Sequence, residues 1–85
     1  MSVHISAHAQ AEIQRRGIPQ SVLDSVLAAP EQKVPDHATV VCYQSRVTIN
    51  NKPYLLRVMV EEAKQPPVVV TVYRTSKISK YWSQT

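Results

Sequence analysis

Apolar positions recur at two different spacings along this chain, and the change falls near Val34. Upstream, Val22, Leu23, Val26 and Leu27 repeat at the three- and four-residue spacing of one helical stripe. Pro19 suits a first helical turn, and Pro30 stops the run. The preceding segment, Ala7 to Arg16, is rich in helix formers, with Ser6 placed as its N-cap and Gly17, the only glycine, as its C-terminal stop. The short joint from Gly17 to Pro19 makes the two a helical hairpin whose apolar stripe faces inward.

Downstream, the spacing predicts strands at Thr39 to Tyr43, extended through Ile49, then Tyr54 to Glu61, then Val68 to Arg74. Asn50-Asn51-Lys52 reads as a hairpin turn, because asparagine tolerates positive φ at little cost. Glu62 to Pro67 forms the next turn, its prolines unable to donate to a ladder. Alternation puts Tyr54, Leu56, Val58 and Val60 on one face, joined by Val68, Val70 and Val72, and directs Arg57, Thr71 and Tyr73 to the other. The expected fold is α+β, with two N-terminal helices packed on one face of a three- to four-stranded antiparallel sheet. A short strand at Val3 to Ser6 and a short C-terminal helix within Thr75 to Trp82 are compatible with it.

Length and composition restrict the picture to one domain spanning residues 1–85. With 44% hydrophobic and 19% charged residues the chain is apolar enough to fold, and at 85 residues it is too short for a second core. The single Cys42 excludes an internal disulfide, and with three histidines it makes no familiar zinc-ligand spacing. No cofactor or metal is expected. Residues 1–14 hold no Lys or Arg and no long apolar run, so neither a signal peptide nor a membrane span is read, and a reducing cytoplasmic location follows. The net charge of +4 is lopsided: residues 1–45 carry three Lys/Arg against four Asp/Glu, and residues 46–85 carry seven against two. A field of that sign attracts phosphate, nucleic acid or an acidic protein.

Two groups of residues can carry chemistry. His8, Glu12 and Arg16 follow one another at four-residue intervals and share a helix face. A carboxylate one turn from an imidazole can orient it for proton transfer, and the same spacing equally describes an exposed ladder of ion pairs. The second group is Thr71, Tyr73 and Arg74, followed by Lys77, Lys80, Tyr81 and Trp82, where cations alternate with aromatics. Such a surface holds phosphates while its rings stack on unpaired bases. The aromatics alternatively seal the core edge, which is the reading given to Trp82. Cys42 reads as a core residue, and His4 and His37 as structural or surface residues.

The segments Ile5-Ser6-Ala7-His8-Ala9, Arg16-Gly17-Ile18 and Val70-Thr71-Val72-Tyr73-Arg74 resemble a family of small bacterial domains of unknown function grouped with the barnase, EndoU, colicin and RelE ribonuclease superfamily. The resemblance spans nearly the whole chain. It implies a RelE-like architecture, a place in toxin–antitoxin systems and metal-independent RNA cleavage. Where the family usually has an arginine between the His-Ala and Arg-Gly segments this chain has Glu12, so a phosphate-binding cation is missing there.

The implied reaction uses the ribose 2′-hydroxyl as nucleophile, so the protein need only move protons and offset charge on the phosphorane. On that basis His8 is the candidate acid or base, and its ring is expected to border one concavity with Arg74. Arg74 holds the phosphate with Arg16 or Arg57 in support, Thr71 donates a hydrogen bond, and Tyr73 positions a base or supplies the second proton. Lys77, Lys80 and Tyr81 extend the RNA-binding surface. The implied partners are RNA, a cognate antitoxin and, for some toxins of this kind, the ribosome. The alternatives are a toxin that binds a protein target such as DNA gyrase without cutting anything, and an inactive RNA binder.

Overall fold

A computed structural model of the chain describes residues 2–84. Its elements are β1 (His4–Ile5), α1 (Ala7–Arg15), α2 (Gln20–Ala28), β2 (Gln32–His37), β3 (Val40–Ile49), β4 (Lys52–Glu61), β5 (Val68–Thr75) and α3 (Ile78–Tyr81). Ser6 fixes where the first helix begins and what it lies against. Its Oγ accepts the Ala9 N–H at 3.1 Å and donates to the Val70 carbonyl at 3.3 Å, while its own N–H donates to the Val69 carbonyl. One side chain thus caps α1 and pins it along β5. At the other end Gly17 takes φ +62, the left-handed conformation that lets the chain reverse into α2.

The strand order is β1-β5-β4-β3-β2, with β1 parallel to β5 and every other pair antiparallel. This corrects the expected fold of two N-terminal helices on a three- to four-stranded antiparallel sheet, and with it the RelE-like architecture: the sheet has five strands and is mixed, and the short helix allowed within Thr75 to Trp82 is present as α3. Two physical reasons account for the difference. The sequence of β2, Gln-Lys-Val-Pro-Asp-His, is mostly polar and holds a proline, which an outer strand tolerates because one of its sides has no ladder to supply. Only two residues long, β1 is too brief to show any alternation, and its place is fixed by the Ser6 cap rather than by its own pattern.

Asn50 and Asn51, both at positive φ, close the β3–β4 hairpin. Opposite, β5 contains one residue too many: Met59 faces Thr71 and Val60 faces Val69, so Val70 is bulged out of the ladder. The bulge shifts the alternation, and Val69 and Val72, rather than Val68 and Val70, are the valines fully buried in the core. That core lies between α1 and α2 on one side and the sheet on the other. It joins Ala9, Ile13, Leu23, Val26 and Leu27 to Tyr43, Leu56, Val58, Val60, Val69 and Val72. The remaining face of the sheet is crossed by α3. Among the described residues no helix is long and apolar enough to cross a membrane.

Candidate functional site

The outer face, on the side of α3, carries a polar group at its centre. Register pairs Gln44 with Arg57 and Arg57 with Tyr73, so three side chains from β3, β4 and β5 meet in one row across the sheet. Arg57 Nε donates to Gln44 Oε1 at 2.9 Å, and its Nη1 donates to the Tyr73 hydroxyl. The guanidinium lies 4.7 Å from the centre of the Tyr81 ring and 5.6 Å from that of Tyr73. Gln44 is fully buried and is held in turn, its Nε2 donating to Gln32 Oε1 at 2.7 Å and to the Tyr81 carbonyl at 3.2 Å. No carboxylate pairs with Arg57 among the described residues, although Arg15 and Arg16 share Glu12 and Arg46 is held by Glu31. A half-buried guanidinium with N–H groups left over and no counter-ion is a ready seat for an anion.

From Tyr73 the row continues along β5. Thr71 lies two residues away on the same face, roughly 7 Å along the strand. The sheet edge is open there, because β1 pairs only with Val68 and Val69. The exposed His8, in the first turn of α1, fills the opening and brings Nε2 to 3.4 Å from Thr71 Oγ1. His8, Thr71, Tyr73, Arg57 and Tyr81 therefore form one continuous surface, with an imidazole at one end and an uncompensated cation at the other.

Arg74 does not join it. Register with Leu56 turns Arg74 to the face of α1, where its Nε donates to the Arg16 carbonyl at 3.1 Å and its guanidinium stacks 4.4 Å from the Tyr54 ring. Arg16 closes the opposite end of α1 from His8, about 12 Å along the helix. The shared concavity expected for His8 and Arg74 is thus not formed, and adjacent positions on a strand explain it: Tyr73 and Arg74 must point to opposite faces.

Glu12 is not the partner of His8 either. Its carboxylate accepts from Arg15 at 2.9 and 2.7 Å and from Arg16 at 3.2 Å, and these contacts lower its pKa to about 2, the Arg15 hydrogen bonds contributing most. Of the expected ladder, the ion pairs form and the imidazole stands apart. Lys77 and Lys80 are exposed on the flank of α3, with the Lys80 ammonium 5.3 Å from the Tyr81 ring. Cys42 is buried under this face, which pushes its thiol up from the ordinary value, and His4 and His37 are exposed. No group of three or more His, Cys, Asp or Glu side chains converges among the described residues, so none is assigned to a metal. The residue that sequence reasoning missed is Gln44, which organises Arg57 and α3 together. It lies in an apolar strand context that offers no sign of a network reaching to positions 32 and 81.

Fold and site define a small α+β domain in which a mixed sheet presents a cationic, aromatic row on the face away from its helical hairpin. Residues 5–74 match the family of domains of unknown function designated DUF4258, and the chain belongs to that family. No curated protein and no solved structure matches it.

Proposed function

We propose that this domain is a metal-independent endoribonuclease of the toxin superfamily its sequence resembles, acting in the cytoplasm on RNA bound across the outer face. One observation carries the reading: an imidazole and an uncompensated guanidinium lie on a single surface, joined by the hydroxyls of Thr71 and Tyr73. In it, Arg57 takes the phosphate-holding role that sequence reasoning gave to Arg74. His8 removes the 2′ proton, and Thr71 steers the imidazole through a contact long enough for a substrate oxygen to displace. The Tyr73 hydroxyl accepts from Arg57, which leaves its own proton free to pass to the departing 5′ oxygen. Arg57 offsets the charge that builds on the phosphorane.

The direct test is to incubate purified protein with labelled RNA in the presence of a chelator and to detect 2′,3′-cyclic phosphate ends. Replacing an exposed proton-transfer group leaves the fold intact and typically forfeits about 10²- to 10⁴-fold in rate, roughly 3–5 kcal/mol. That loss is expected for His8→Ala, together with one limb of the pH–rate profile. Equal cleavage by wild type and His8→Ala rejects the assignment.

A second reading, capture of RNA or of a target protein without cleavage, is favoured by one feature: Glu12 is committed to Arg15 and Arg16, so no carboxylate among the described residues orients His8. Growth arrest on expression with RNA left intact would select it. Under either reading a co-encoded antitoxin with an acidic segment is the partner that suits the basic face, since complementary charge speeds capture. Pull-down with the neighbouring gene product tests this, and failure to bind, together with no growth defect on expression, rejects the toxin role.

A further inference from the structure

Beyond Arg57, the same side of the molecule holds a cavity of about 440 Å³ between α3 and the edge of β3, lined by Arg46, Ser76, Lys77, Ile78, Ser79, Trp82 and Gln84. We infer that this cavity is a nucleobase subsite in which Trp82 is the stacking platform. Its volume is within the roughly 300–1,000 Å³ typical of small-molecule sites. Its apolar walls are the indole of Trp82 and the side chain of Ile78, and beside the cations Arg46 and Lys77 its neutral polar groups are the hydroxyls of Ser76 and Ser79 and the Gln84 amide. Those neutral groups suit the donor and acceptor edge of a base, while the absence of any acidic side chain from the lining among the described residues suits the phosphate that accompanies it.

The platform is supported on one side. The Arg46 guanidinium lies over the indole at 4.3 Å and is itself held by Glu31, which accepts from the Arg46 N–H at 2.7 Å, from Nε at 3.2 Å and from Nη2 at 3.0 Å. Arg46 is therefore neutralised and fixed, acting as a planar support rather than as a phosphate contact. Lys77, exposed at the rim with no ion-pair partner among the described residues, supplies the charge. Because α3 also carries Tyr81 against Arg57, one short helix separates the phosphate seat from the cavity. A strand whose phosphate sits on Arg57 can thus place an unpaired base on Trp82. This rests on the RNA reading above, and it adds a residue that reads a base rather than the backbone.

Trp82 is the only tryptophan in the chain, so tryptophan fluorescence arises from the indole of this cavity. The full chain, carrying His8→Ala to prevent cleavage, is titrated with a single-stranded RNA octamer, an abasic octamer of equal charge, and adenosine and uridine monophosphates. Binding of labelled octamers is followed separately by anisotropy. The octamer with bases is expected to quench Trp82 and to bind about 5- to 150-fold more tightly than the abasic one, the range for loss of one stacked base. Ser79→Ile, which fills the cavity from an exposed position, and Trp82→Leu should each remove that difference, with thermal melts verifying that both variants fold.

Equal binding of the two octamers without quenching overturns the subsite and leaves the RNA reading standing. Quenching by mononucleotides without binding of either octamer supports a nucleotide site at Trp82 and rejects the RNA strand. No binding and no quenching by any probe overturns both.

Discussion

The two faces of the sheet are built on opposite terms. Toward α1 and α2, contacts are mostly apolar and interchangeable in kind: Leu, Val and Ile fill volume, and polar side chains act at the margins, where Ser6 and Arg74 tie the two ends of α1 to β5. Toward α3, Gln32, Gln44, Arg57 and Tyr73 form a chain of hydrogen bonds in which each group has a particular partner. The first face can be replaced piecemeal by other apolar residues at modest cost, whereas the second loses a partner with every change. Charge is divided differently. Arg15, Arg16 and Arg46 are neutralised by Glu12 and Glu31, while Arg57 and Arg74 have no carboxylate partner among the described residues, Arg57 lying in the outer row and Arg74 on the face of α1. Packing therefore fills the face toward the hairpin, and the polar row is the face on which each group has a defined partner.

The sharpest separation of the two faces comes from paired substitutions. Leu56→Ala, at a fully buried core position on β4, should destabilise by about 2–5 kcal/mol, read as a fall in melting temperature or denaturant midpoint. Tyr73→Phe removes only a half-exposed hydroxyl and should cost far less while impairing RNA cleavage. If the two destabilise equally, the outer row is core and its chemical role fails.

Next in size is Gln44→Leu. The substitution keeps the bulk but leaves Arg57 Nε and the Tyr81 carbonyl without their partner, at a cost of about 1–3 kcal/mol. Its signature should be local: amide exchange should quicken in residues 78–84, and the core strands should stay protected. Uniform loss of protection would mean that the two faces are not separable. Smaller in stability but decisive for function is Arg57→Met. RNA affinity should drop, and the slope of log K against log salt should fall by about 1, as for one lost phosphate contact. The same change at Arg46, which Glu31 already neutralises, should leave the slope unaltered.

How much of this could be read from the sequence follows the same division. Ser6, Gly17, the stripe of Val22, Leu23, Val26 and Leu27, and the Asn50-Asn51 turn announce their elements because the causes are local: a cap, a positive φ, a helical period. The edges were not legible. Polar composition concealed β2, the short strand allowed at Val3 to Ser6 is present as β1 but its parallel pairing with β5 could not be read, and a single bulged Val70 moved the buried set by one residue. In the site, the contact between His8 and the last strand was expected, while the choice of cation was not. Alternation already set Arg57, Thr71 and Tyr73 on one face, but the phosphate was given to Arg74, whose pairing with Leu56 turns it to the other.

The smallest expected effect concerns Glu12, and it distinguishes an ion pair from a catalytic dyad. Its carboxyl has a folded pKa of about 2, below the ordinary 4.5, chiefly because Arg15 and then Arg16 donate to it. A depressed carboxyl stabilises the fold above its unfolded value, and the contribution disappears as pH falls from about 4.5 through about 2. Glu12→Gln should therefore melt slightly below wild type at neutral pH, with the two curves converging toward pH 2. The difference is small because exposed pairs are screened by solvent. Because no contact joins Glu12 to His8, the pH–rate profile of RNA cleavage should be the same in both proteins. A shifted limb in the variant would mean that Glu12 does tune the imidazole, and would move the carboxylate from the stabilising pairs of α1 into the row proposed to act on RNA.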